Sequence, residues 1–264
     1  LPFETPQSKP GITLTGDSDG NAAILAEAVE AVLATFEARL TEIETTGYRL
    51  LTTVYYTTGV TVFTKASYDG FKAARVRLVG AGGGGGGAAV TSGTQLSLGS
   101  GGGGGCYAES FLLDAAIPSS LNVTVGAGGA GGVGVAASNG ATTSFGALVS
   151  GGGGTGGDTE TATGENGVAG GPGSTVGTGQ LIIPGGDGSN GRNESVASIT
   201  ESPNGGSSFF GGSRLASSTT AGANGFTARN YGAGGSGAMN DTSEVDVRTG
   251  GDGSGGLVIV DIFI

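Results

Sequence analysis

Glycine in this chain is gathered into blocks. Nine dense runs, at 82–87, 99–105, 126–132, 151–157, 164–173, 185–191, 205–212, 232–237 and 250–256, hold most of the 60 glycines among 264 residues. Inside an ordinary helix or strand each glycine costs about 0.5–1 kcal/mol relative to alanine, so runs of this kind belong to backbone geometries that only a residue without Cβ allows. A collagen triple helix is excluded, because it needs glycine at every third position and proline at about 15–20 %, and this chain has 7 prolines. A flexible linker is opposed by the apolar, β-rich segments between the runs: Ala74–Val79, Leu121–Val125, Ser144–Val149 and Leu257–Ile264.

The physical reason for glycine runs is close approach. An extended three-fold rod without side chains can touch several neighbours and donate its N–H groups in more than one direction, which satisfies buried backbone without helix or sheet. Seven residues at about 3.1 Å each span about 22 Å. Such rods bury almost no side chain, so apolar strands must supply the hydrophobic stabilisation. The two ends of the domain mirror each other: Ala74–Val79 runs into Gly80-Ala81-Gly82, and Gly255-Gly256 runs into Leu257–Val260. That order predicts an antiparallel pair at one base. The expected fold class is mostly irregular and β, a bundle of polyglycine II-like rods closed by a small basal β-sheet and preceded by one long coiled-coil-type helix.

Composition divides the chain into an extended connector at 1–20, a coiled-coil helix at 21–47, a β-rich collar at 48–73 and the glycine-rich rod domain at 74–264. The helix is predicted over Asn21–Thr46, from a capping residue through an Ala/Glu/Leu-rich body to Gly47. Its apolar positions Val29, Leu33, Phe36, Leu40 and Ile43 alternate by four and three, and with Leu25 and Val32 they form a broad seam that suits a homotrimer. Val54, Tyr55, Tyr56 and Val60 are expected to form a collar shared between chains.

Several functions are excluded or disfavoured. A net charge of −11 opposes nucleic acid as a partner. No apolar run is long enough to span a membrane, and the start at Leu1 reads as a processed or excerpted chain. The single Cys106 rules out an internal disulfide framework, and with no histidine a Ser or Cys nucleophile lacks its usual base. Asp158, Glu160 and Glu165 are the nearest thing to a glycosidase carboxylate pair, but no tryptophan exists to line a sugar cleft. Gly82–Gly87 follows a strand yet does not open a helix, as a dinucleotide fingerprint requires. Gly186-Asp187-Gly188 and Gly251-Asp252-Gly253 are isolated copies of a motif that binds calcium only in tandem, so they read as turns. No enzyme activity, cofactor or metal is expected.

The succession Val76–Gly84, Gly105–Glu109, Val123–Gly131, Thr143–Gly146 followed by Val149–Gly154, and Gly255–Ile259 resembles the glycine-rich domain of bacteriophage tail-fibre and adhesin tip proteins over about Val60 to Ile264. The resemblance implies a rod domain at the distal end of a virion's tail fibre. Its loops would bind a host cell-surface receptor, either an outer-membrane protein or a glycan, and other phage tail proteins would be partners. Counting reversals from the base makes 88–98, 133–141, 158–163, 192–204 and 238–249 the distal loops and 174–184 and 213–231 basal. Leu181, Ile182, Ile183, Phe226 and Tyr231 then fall at the base. The expected receptor-binding residues are the polar members of the distal set: Asp158, Glu160, Arg192, Asn193, Glu194, Asn240, Asp241 and Glu244. The alternatives are a structural or ice-binding polyglycine bundle and a calcium-stabilised β-roll; an ice binder would need shorter, more regular connections than Arg192–Asn204 or Ala238–Thr249.

Overall fold

The computed structural model describes residues 18–163, 166–193, 202–214 and 222–264, and within the helix the side chains of 26–41. The chain divides into two compact units, Leu1–Arg49 and Leu50–Ile264.

The first unit contains α1 (Ser18–Thr46), which begins three residues earlier than expected and takes in Asp19 and Gly20. Val29, Val32, Leu33, Phe36 and Leu40 are all exposed on it. Thr35 and Thr41 turn their hydroxyls back to the carbonyls of Ala31 and Glu37, at 2.8 and 2.9 Å. The expected coiled coil is overturned. Its knobs need a facing helix, and α1 is the one α-helix among the described residues. The side chain of Ile43 lies outside the described residues.

The second unit is built of strands. In chain order they are β1 (Leu50–Tyr56), β2 (Gly59–Thr64), β3 (Ala73–Val79), β4 (Gln95–Gly99), β5 (Tyr107–Leu113) and β6 (Ser120–Val125). Then come β7 (Thr143–Phe145), β8 (Val149–Gly151), β9 (Thr159–Thr163), β10 (Asn166–Val168) and β11 (Gly177–Thr178). The last are β12 (Leu181–Ile183), β13 (Gly191–Asn193), β14 (Met239–Asn240) and β15 (Leu257–Phe263). They form four antiparallel sheets, ordered β1-β15-β3-β5-β12, β11-β8-β7-β6-β2, β14-β4-β9 and β10-β13.

This overturns the expected fold class. The apolar segments form two five-stranded sheets with a shared core where one small basal sheet was expected, and more sheet lies at the opposite end. The physical reason is alternation: Val76, Leu78, Val258, Val260 and Ile262 point inward from the first sheet, and Phe63, Val123, Val125, Phe145 and Val149 from the second. Burying each such side chain is worth about 1.5–3 kcal/mol, and two facing sheets bury more of them than one. Phe63 meets Phe145 edge-on, with centroids 5.1 Å apart. The expected inter-chain collar is drawn in only in part, since Tyr55 and Val60 stay exposed. β1 pairs with β15, β2 pairs with β6, and Val54 and Tyr56 lie against the same core. The mirror order of the domain's ends is realised, with Leu257 opposite Val79 and Phe263 opposite Ala73.

Beyond Val79 the chain enters glycine segments bonded backbone to backbone in three directions. Gly80, Gly83 and Gly86 donate to Cys106, Gly103 and Ser100; Ala81, Gly84 and Gly87 donate to Ala141, Ser138 and Val135; Gly82, Gly85 and Ala88 donate to Ser254, Gly251 and Arg248. Their carbonyls alternate in the same way, Gly82 and Gly85 accepting from Gly129 and Gly132, and Gly83 and Gly86 from Gly235 and Ala238. Segment 80–88 therefore has neighbours on every side, and a Cβ at Gly82 would sit 1.9 Å from the Ala233 carbonyl oxygen.

These bonds fix the direction of each pass between the sandwich end and the loop end. Two passes have few glycines. Residues 135–141, expected within a distal loop, instead run antiparallel to 81–87. The second corrects the placement of 213–231 at the base: Ala223 bridges Met239 and Gly225 donates to the Thr249 carbonyl, so the chain resumes at the loop end and descends to Tyr231. Phe226 consequently lies partway along, its N–H on the Ser236 hydroxyl. Leu181, Ile182 and Ile183 are at the sandwich end, paired with β5.

Candidate functional site

The loop end is organised by β4, which lies between β9 and β14 and packs Leu96 and Leu98 against Val168 and Met239. Segments 88–91 and 244–248 run antiparallel beside it: Ala88 bridges Arg248, and Thr91 N–H donates to the Glu244 carbonyl at 2.9 Å. The sandwich and both termini of the β-unit are at the opposite end, since Leu50 and Phe263 pair at the far ends of their strands.

The expected binding residues divide into three groups. Asp158, Glu160 and Arg192 are exposed on loop-end segments. Asp158 accepts from the Thr159 N–H at 2.8 Å, and Glu160 lies on edge strand β9 opposite Leu98. Asn193 is placed by its backbone, which pairs with Asn166, while its side chain and the whole of Glu194 lie outside the described residues. Asn240, Asp241 and Glu244 are knitted into the scaffold.

Asn240 is a correction: it is fully buried. Its Nδ2 donates to the Ala89 carbonyl at 2.8 Å and the Asp246 carbonyl at 2.7 Å, and its Oδ1 accepts from Arg248 Nε at 3.1 Å. A short polar side chain that reaches three groups at once is a staple between loops. Arg248 also reaches Glu244 at 3.4 Å. The Thr91 hydroxyl accepts from the Glu244 N–H at 2.9 Å and donates to the Asp241 carbonyl at 2.5 Å.

The most exposed apolar residues of this end were not singled out from sequence, where the distal loops read as polar. Val90, Val133, Val135, Val245 and Val247 are all exposed, Val245 to 84 %. A Cβ at Gly134 would lie 3.0 Å from Val247 Cγ1, and Val133 bridges Thr249, so segments 133–134 and 247–249 lie side by side. Single valines between polar residues resemble strand formers, and no periodicity distinguishes them.

The two Asp-Gly sites have an unforeseen role. Asp187 accepts from the Gly173 N–H at 2.8 Å and Asp252 from the Gly131 N–H at 2.7 Å. Asn139 and Asn190 do the same for Gly156 and Gly170, each at 2.8 Å. Carboxylate and amide oxygens thus satisfy N–H groups of the glycine segments. Among the described residues no three His, Cys, Asp or Glu side chains gather as a metal-holding group, and no helix is long and apolar enough to cross a membrane.

A second polar cluster occupies the outer face of the sheet β1-β15-β3-β5-β12. Arg75 Nε donates to Glu109 at 2.6 Å, Tyr107 donates its hydroxyl proton to the same carboxylate at 2.5 Å, and Arg77 reaches Asp261 at 2.9 Å. Burial pushes the Glu109 carboxyl up, but the hydrogen bonds from Arg75 and Tyr107 outweigh it and hold the group below its ordinary value. Burial, reinforced by the Glu109 carboxylate, drives the Tyr107 phenol well above its ordinary value. The buried Cys106 thiol is pushed up by desolvation.

A search of curated proteins gives no match to this chain. The family model described as a glycine-rich domain matches residues 57–263, which run from the β1–β2 turn to the end of β15. The chain belongs to the glycine-rich domain family.

Proposed function

We propose that this chain is the receptor-binding tip of a bacteriophage tail fibre, a non-enzymatic module that attaches the virion to a host cell-surface protein or glycan. The observation that carries this reading is the separation of the two ends of the glycine domain. Loops 88–98, 133–135, 158–163 and 241–248 gather at one end, while the first and last strands meet at the other, where a fibre would join. The segments between are held by backbone bonds, so they fix the loops in space without constraining loop sequence. Binding residues are commonly carried on loops held by a rigid scaffold.

The test is adsorption of the fluorescently labelled full chain to a panel of intact bacterial cells, before and after surface proteolysis or glycan removal. Glu160→Ala and the double variant Val245→Ser, Val247→Ser are expected to reduce adsorption at least tenfold with unchanged Tm. Val176→Ser, exposed at the sandwich end, leaves it unchanged. Adsorption that follows Val176, or no adsorption to any cell of the panel, overturns the reading.

A further inference from the structure

The cross-strand registers place one set of side chains together on the outer face of the sheet β1-β15-β3-β5-β12. One row reads Tyr55, Ile259, Arg77, Glu109 and Leu181, and the next reads Thr53, Asp261, Arg75 and Phe111. Leu113 follows on β5, and Phe209 stacks on Tyr107 at 4.1 Å above the first row. The opposite face of the sheet is spent on the core. On this outer face Tyr55 is 63 % exposed and Phe209 53 %, and Phe111, Leu113 and Leu181 are exposed as well.

We propose that this outer sheet face is the surface on which copies of this chain join. The reading is independent of what the loops bind. Charge selects a second copy as the occupant. A chain carrying −11 repels its own copies, so the surface on which two copies meet should add no net charge of its own. Here the charges are already matched within the face, Arg75 with Glu109 and Arg77 with Asp261, so it presents no net charge to an identical neighbour.

The rows carry aromatic residues and arginines and no lysine, and aromatic residues and arginine are enriched where protein surfaces meet. The edge strand β1 adds Leu50–Tyr56, a run with no charge and no proline to discourage pairing. The face belongs to the sandwich, away from loops 88–98 and 241–248, so joining copies here leaves every loop end free. The gain is multivalent binding.

Sedimentation velocity of the full chain over a range of concentrations tests this. The wild-type chain is expected to sediment as an oligomer, and the double variant Leu113→Glu, Leu181→Glu to raise the association Kd at least tenfold with unchanged near-ultraviolet dichroism. If that variant does not fold, Tyr55→Asp, on the exposed edge strand, takes its place with the same expected shift. Val245→Glu at the loop end leaves the mass unchanged. A monomeric wild-type chain overturns the proposal. So does an oligomer that survives the face variants but dissociates on Phe36→Glu in α1. Cell adsorption of each variant read as a monomer separates this outcome from failure of the loops to bind.

Discussion

Gly85 is the position at which the backbone lattice can be tested most directly. Its N–H donates to Gly251 at 2.8 Å and its carbonyl accepts from Gly132 at 3.0 Å. An added Cβ would lie 2.0 Å from the Ser236 carbonyl oxygen and 2.4 Å from the carbonyl carbon. Ordinary contact requires the neighbouring segment to retreat by roughly 1 Å or more. That segment is tied to 80–88 by Gly235 N–H to Gly83 and Ala238 N–H to Gly86, both 2.9 Å, and such a retreat stretches both beyond hydrogen-bonding distance. Two buried donors left unsatisfied cost about 1–3 kcal/mol each. Gly85→Ala is therefore expected to lose about 2–6 kcal/mol, a large part of the about 5–15 kcal/mol that holds a domain folded. Gly212 has open space around its would-be Cβ and no positive φ, so Gly212→Ala is expected to be neutral or to gain up to about 1 kcal/mol through the unfolded state. Urea unfolding followed by circular dichroism measures both. A Gly85→Ala chain within about 0.5 kcal/mol of wild type refutes the reasoning.

Asn240→Ala removes a buried staple from two part-buried carbonyls and the Arg248 guanidinium and should cost about 1–3 kcal/mol locally; hydrogen exchange is expected to rise in 88–91 and 244–248, and unchanged protection there refutes it. Stability should fall as pH rises above about 9, because Cys106, Tyr56 and Tyr107 are held above their ordinary values of 9.0, 10.0 and 10.0 and the unfolded chain loses those protons first. A Tm that is flat from about pH 8 to about pH 11 contradicts this. On the acid side Glu109 contributes above its ordinary 4.5, and its contribution is lost as pH falls through its lowered value. Since Asp187 and Asp252 spend oxygens on backbone N–H groups, chelation of calcium should leave Tm within about 1 °C. Asp252→Asn, which keeps an acceptor, should be milder than Asp252→Ala in the same melt.

What could be read in advance follows from what glycine density reports. It marks positions surrounded by backbone, such as 82–87 and 101–105, where any Cβ collides. It is silent about the perimeter, where a side chain can point outward. Val135, Ala137 and Ser138 therefore hid one pass and Asn224 to Tyr231 another. Strands were legible where apolar residues alternated beside a glycine run, as at Val76 and Leu78 or Val258 and Val260. β2 fell within the expected β-rich collar, but its place in the sandwich was hidden because Val60 and Val62 face outward and only Phe63 is buried. Polarity misled at Asn240, whose amide is fully occupied inside the fold, and it concealed Val245 and Val247, whose exposure depends on how the loop is held.

The three-way alternation of donors along 80–88 also sets a rule for how such a domain can change length. In a β-ladder a slip of one residue turns each side chain to the other face. Here a one-residue deletion would rotate everything beyond it by a third of a turn, handing the partner of Gly83 to a residue built to face Ser138 or Ser254. Loss or gain of three residues restores every partner, provided each flanking segment changes by the same amount. Length drift among such domains should come in triplets and in concert around a central segment, whereas the loops, which obey no such arithmetic, can lengthen one residue at a time.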